Sequence, residues 1–184
     1  MVWEWRCFAP GEPELLAETL EEREDLYVLA EHLGPERNLK LRGGERVELK
    51  LREERHESGD ERWAKVFAHD LPVPPWEARE LARALLPGGR VPVRPIRSAS
   101  ELVQFVHDVG LGAGRVIPVR KRLERSFRAG VQLERGALVC AGAPYSTWAL
   151  EGYEREDLLR ARTRLAPPPQ PPMGYAAFLA SLGA

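Results

Sequence analysis

The sequence predicts an α+β fold in which an antiparallel sheet curls around its own charged face while helices cover the outside. Three observations lead there. Extended segments with alternating polar and apolar residues dominate both halves of the chain, punctuated by Gly and Pro turn signals. Three of these segments each bring two or more Lys or Arg side chains to one face, and an open sheet so charged would repel itself. Amphipathic helices fall between and after the strands, with apolar stripes suited to covering the outer wall of a barrel.

Taken in order, residues 3–8 form a short aromatic-rich strand and residues 25–29 a second. Between them residues 12–22 read as a short helix with Leu15, Leu16 and Leu20 on one side. Residues 38–42 and 46–55 flank Gly43-Gly44, a two-residue hairpin signal. A fifth strand, residues 61–67, follows the turn at Ser58-Gly59-Asp60. The middle is helical: residues 77–86 carry Leu81, Ala82 and Leu85 at helical spacing and stop at Pro87-Gly88-Gly89. Pro92 and Pro95 keep residues 90–97 extended. Ser98 and Glu101 form a capping box for a helix whose Leu102, Phe105, Val106 and Val109 make an apolar stripe, closed by Gly110. Strand patterns return at residues 115–125, 129–134, 137–141 and 145–151, followed by a helix at 154–165. Residues 166–173 are a stiff polyproline linker, and residues 175–182 a short apolar helix that packs back on the body or against a second copy. The chain thus divides into a body, residues 1–165, and an appendage, residues 166–184, with a homodimer as one expected use of the latter.

Composition excludes several classes. With 184 residues, 43% of them hydrophobic, the chain can bury a core, and 27 basic against 28 acidic residues give a net charge of −1. That balance argues against coating nucleic acid by bulk charge. No apolar run reaches the length of a membrane helix, and Met-Val-Trp-Glu-Trp-Arg lacks the form of a signal peptide. Cys7 and Cys140 stand far apart, and no two of the four histidines have zinc-ligand spacing. The expectation is a cytoplasmic protein with reduced thiols.

The charged faces carry the functional reading. On residues 46–55, Arg46, Glu48, Lys50 and Arg52 oppose Val47, Leu49 and Leu51; on the preceding strand Lys40 and Arg42 oppose Leu39 and Leu41. Arg120, Arg122 and Glu124 oppose Val119 and Leu123 on a later one, while Lys65 shares the side of Trp63 and Phe67 with less regular parity. Near the start Glu4 and Arg6 share a side. A concave wall with convergent Arg and Lys is a polyanion site, because guanidinium forks suit phosphate oxygens. Carboxylates among them, Glu48, Glu134 and Glu151, would either hold Mg²⁺ or Mn²⁺ or act as counter-ions for the arginines.

Element order and charged strands together resemble the CYTH superfamily of triphosphate tunnel enzymes, which includes thiamine triphosphatases and class IV adenylate cyclases. Asp25-Leu-Tyr-Val-Leu29, Leu39-Lys-Leu-Arg42 with Val47-Glu-Leu-Lys-Leu-Arg52, Val119-Arg-Lys-Arg122, Val131-Gln-Leu-Glu134 and Trp148-Ala-Leu-Glu151 carry the resemblance across residues 2–165. It implies an eight-stranded antiparallel tunnel with outer helices. A triphosphate would lie along Lys40, Arg42, Lys50, Arg52, Lys65, Arg120 and Arg122, with Mg²⁺ or Mn²⁺ held by Glu48, Glu134 and Glu151, and less securely by Glu4. The N-terminal E-x-E-x-K signature is degenerate: aligned on Phe8 it meets Trp3, Trp5 and Cys7, and slipped by one residue it recovers only Glu4 and Arg6. Ala149 also replaces the first acid of the closing pair. Weak or absent turnover is therefore expected.

The expected function is binding of a triphosphate or other small polyphosphate compound, with metal-dependent hydrolysis as the activity the resemblance would add. One alternative is an inactive tunnel protein that binds a phosphorylated ligand or an acidic peptide. Another is a single-stranded nucleic-acid binder, against which the near-zero charge and the lack of aromatics interleaved with the basic residues count.

Overall fold

The computed structural model describes residues 1–15, 20–89, 91–92 and 94–183. Five strands come first: β1 (Val2–Pro10), β2 (Glu21–Ala30), β3 (Arg37–Arg42), β4 (Arg46–Arg55) and β5 (Glu61–Asp70). Helices α1 (Pro75–Leu85) and α2 (Ala99–Val106) follow, then β6 (Gly114–Arg128), β7 (Val131–Cys140), β8 (Ala143–Gly152), α3 (Arg155–Leu165) and α4 (Tyr175–Ser181). The strands close into an antiparallel barrel in the order β1-β5-β4-β3-β2-β6-β7-β8, with β8 hydrogen-bonded back to β1. Each strand thus has a neighbour on both sides, although β1 and β5 meet over only three residue pairs, Val2–Glu4 against Glu61–Trp63. Among the described residues no helix is long and apolar enough to cross a membrane.

Nine strand patterns in the sequence become eight strands, because residues 129–134 and 137–141 join through Gly136 inside β7. That glycine marks close approach rather than a turn: a Cβ there would meet Leu123 Cδ2 at 2.5 Å and Thr147 Cγ2 at 3.1 Å. Residues 12–22 also differ from expectation. Glu21 and Glu22 open β2, residues 12–15 hold no helix, and residues 16–19 lie outside the described residues. Ser98 caps α2 as its spacing predicts, its hydroxyl accepting from Glu101 N–H at 3.2 Å. The Glu101 carboxylate reaches past it to accept from Arg97 N–H at 2.6 Å. The helix then loosens into a π-helical turn over His107–Leu111, where Gly110 adopts φ 105°.

Three apolar clusters hold the barrel. The α1 and α2 stripes, including Leu81, Leu85, Leu102 and Phe105, pack on the outward residues Val28, Leu39, Leu41, Val47 and Leu49. Helix α3 places Leu158 and Ala161 over Trp5, Cys7, Val131, Leu133 and Leu150. The third cluster lies inside the barrel, where Tyr175, Phe178 and Leu179 of α4 meet Phe8, Tyr27, Val119, Leu138 and Cys140. The Phe8 and Phe178 rings stack at 4.0 Å, and the Tyr27 and Tyr175 rings at 5.1 Å. The segment after the proline run thus returns to the barrel, tied by the Met173 N–H donating to the Arg6 carbonyl at 2.8 Å.

Candidate functional site

Strand alternation sorts the wall. On β1, Glu4, Arg6 and Phe8 take the opposite face from Trp5 and Cys7, which lie beneath α3. On β2 the inward set is Arg23, Asp25 and Tyr27, and on β3 it is Asn38, Lys40 and Arg42. β4 supplies Glu48 and Lys50, β5 Trp63 and Lys65, β6 Lys121 and Arg125, β7 Gln132 and Glu134, and β8 Glu151. The irregular parity on β5 comes from a bulge. Leu49 pairs with Phe67 and Lys50 with Lys65, so Val66 is the extra residue. It turns Lys65 and Trp63 inward while Phe67 joins the outer core.

These side chains surround a cavity of about 390 Å³ in one half of the barrel. Among its described lining residues, eight Lys and Arg face four glutamates. Two buried ion-pair centres organise them, one a carboxylate and one a guanidinium. The first is Asp25, fully buried, which holds Lys121 at 2.8 Å, Arg23 at 3.1 Å and Lys40 at 3.4 Å. Burial alone would raise its pKa, but Lys40 and Lys121 outweigh it and keep the carboxyl well below the usual range. Lys121 also donates to the Tyr27 hydroxyl at 2.7 Å and lies 4.0 Å from the Tyr175 ring centroid. Burial and the neighbouring Lys40 push its pKa down to about 7, with Asp25 offsetting only part of that. Glu48 gathers Lys65 at 3.4 Å, Lys40 at 3.6 Å and Arg42 at 3.7 Å nearer the mouth.

The second centre is Arg6, 5% exposed. Its guanidinium meets Glu4 at 2.6 Å, Glu134 at 2.9 Å and Glu151 at 3.5 Å, and donates to the Thr147 hydroxyl at 3.1 Å. Arg125 reaches the other oxygen of Glu134 at 2.8 Å. Burial works against ionisation of Glu134, yet Arg6 and Arg125 lower its pKa to about 2. Glu151 moves the other way, raised by burial and by the nearby charge of Glu4.

All eight strands of a closed antiparallel barrel therefore aim charge at one cavity, with the helices outside and at its far end. The closed eight-stranded antiparallel barrel is the architecture that the sequence resemblance implies. A conserved hypothetical protein from Pyrococcus furiosus is similar to this chain with a TM-score of 0.51 and 12% identity, covering 96% of this chain and 99% of its own. HpAC1 of Hippeastrum, nominally an adenylyl cyclase and found to have a dominant triphosphatase activity, gives 0.47 at 14% identity over 90% and 86%. A Bacillus halodurans protein assigned to the adenylate cyclases gives 0.42 at 12% over 79% and 73%. At such identities the likeness is one of fold. No protein-family model and no curated protein matches the sequence.

The tunnel gathers Lys40, Arg42, Lys50 and Lys65 of the expected basic residues, and all four expected acids, Glu4, Glu48, Glu134 and Glu151. It does not gather Arg52, Arg120 or Arg122. Arg52 pairs with Glu61 at 2.7 Å and is not among the residues that line the cavity. Arg120 and Arg122 are corrected outright: they point outward, their side chains 79% and 57% exposed, and pair across the strand with Glu24 and Glu22. The physical reason is the one-residue sensitivity of strand facing. Val119 and Leu123 mark an apolar face, but that face looks into the barrel, so Lys121 beside them is the inward cation. Glu22 and Glu24 at period two are the sequence signal for this, being matched partners for outward arginines. Arg6, Arg23, Asp25, Lys121, Arg125 and Tyr175 are the site residues that the expected set lacks.

The expected metal ligands do not fit a divalent ion as arranged. Among the described residues no three His, Cys, Asp or Glu side chains are grouped to hold one. Glu4, Glu134 and Glu151 converge instead on a guanidinium, and Glu48 on two lysines and an arginine.

Proposed function

We propose that the tunnel binds a small polyphosphate, an inorganic or organic triphosphate, along Lys40, Arg42, Lys50 and Lys65, with Lys121 and Arg23 at the inner end. One observation carries the reading: among the described residues that line the cavity, eight basic side chains stand against four glutamates. Phosphate oxygens would replace carboxylates as partners of cations already fixed on strands, and the low-dielectric wall strengthens each contact. Lys50 is the best-placed donor. Among the described residues no carboxylate closes an ion pair on it, and its charge reaches Glu4 and Glu151 only through space.

The reading is capture rather than rapid hydrolysis. The acids that the resemblance assigns to Mg²⁺ or Mn²⁺ are engaged by Arg6, Arg125 and the lysines. Nucleic-acid binding receives less support, because the outward arginines of β6 are matched by glutamates of β2.

Calorimetric titration with tripolyphosphate, ATP and thiamine triphosphate, together with a phosphate-release assay, tests the proposal. Tripolyphosphate is expected to bind, with affinity lowered at least about tenfold in Lys50→Ala by loss of a charge-assisted contact. Absence of binding, or an equal loss in Arg120→Ala, overturns it.

A further inference from the structure

The environment of Arg6 goes beyond a counter-ion for acids. Its guanidinium sits inside the triangle of Glu4, Glu134 and Glu151, each with an oxygen within 3.5 Å, and its position is over-determined. Thr147 accepts a hydrogen bond from it, the Tyr175 ring lies 4.8 Å from its Cζ, and its own carbonyl anchors Met173. A divalent ion at the same carboxylates would need oxygen ligands at about 2.1 Å in octahedral array. It would first have to expel a buried guanidinium whose charge is fixed at every accessible pH. Arg125 and Lys50 add further positive charge against it.

We propose that Arg6 is a resident cation standing where a divalent metal would sit among Glu4, Glu134 and Glu151, so that the tunnel takes its anion without metal. The inference rests on the polyphosphate reading for its ligand but not for its cation. The acids of this cluster then serve to hold Arg6 on the tunnel axis. The phosphate charge is met directly by Lys and Arg rather than through a bridging ion.

Two titrations of the full chain test this. Mn²⁺ alone, followed by the loss of its free-ion electron paramagnetic resonance signal, is expected to show no binding to the wild type in the millimolar range. Tripolyphosphate in EDTA is expected to bind as tightly as in excess Mg²⁺ or more tightly, since free Mg²⁺ competes for the ligand. Arg6→Ser vacates the triangle and is expected to gain Mn²⁺ binding by at least about tenfold. Saturable Mn²⁺ binding by the wild type overturns the proposal. So does tripolyphosphate binding that falls at least about tenfold in EDTA, or a folded Arg6→Ser that stays inert to Mn²⁺. If Arg6→Ser does not fold, the wild-type titrations decide. Failure of tripolyphosphate to bind under every condition defeats the polyphosphate reading, while the Mn²⁺ titrations still judge the cation.

Discussion

The inside of this barrel is two different materials. Toward the Glu4 end, the strands present Arg6, Arg23, Lys40, Lys50 and Glu134 around a cavity. Toward the other end the same strands present Phe8, Tyr27, Val119, Leu138 and Cys140, and α4 fills the space between them. β1 passes from one to the other within five residues, Glu4-Trp-Arg-Cys-Phe8. The difference teaches that a closed sheet need not have one kind of interior. Where an extra helix enters, inward residues can be apolar core; where none enters, they must balance charge or await a ligand.

If the two halves are separable, mutations should split stability from anion binding. The largest effect is expected for Phe178→Ala, which empties the stack on Phe8 and should lower unfolding free energy by about 3–5 kcal/mol. Denaturant melts measure this, and tripolyphosphate affinity of the remaining folded protein should stay near wild type. An equal loss of affinity would merge the halves. Asp25→Ala comes next, at about 2–3 kcal/mol, below the usual cost of breaking a buried ion network. Lys121 already titrates at about 7, so it can shed its proton when its partner is removed.

Lys121, at the boundary between the halves, gives a third test. Its pKa is depressed from the ordinary 10.5 to about 7. Between those values the unfolded chain holds a proton that the folded chain has released, so this group makes stability rise with pH across that window and contributes no slope below it. Anion affinity should move oppositely, falling roughly tenfold from about pH 6 to 8 as the buried charge is lost. Calorimetry at several pH values should find both slopes flattened in Lys121→Met. The smallest effect is expected for Arg120→Ala and Arg122→Ala. These break exposed cross-strand pairs, should cost less than about 0.5 kcal/mol, and should leave binding unchanged.

The sequence made the barrel legible through repetition: charged faces on β3 and β4 were sufficient to place Lys40, Arg42, Glu48 and Lys50 inside. The same rule failed on β6 because it equates apolar with outward. There Val119 and Leu123 line the interior beside Lys121, and Arg120 and Arg122 look to solvent. Lys65 needed a bulge that no periodicity encodes. Tyr175 was beyond reach for another reason. Its contacts with Phe8, Tyr27 and Arg6 link residues far apart in the chain, across a proline run that fixes local shape but not destination.

The stack of Phe8, Phe178 and Tyr145 has a consequence for traffic. With that end corked, whatever enters past Lys65 and Arg42 must back out by the same door. If the cavity binds polyphosphate as proposed, a long polymer would offer only its terminus, and the protein would read chain ends rather than thread along a strand.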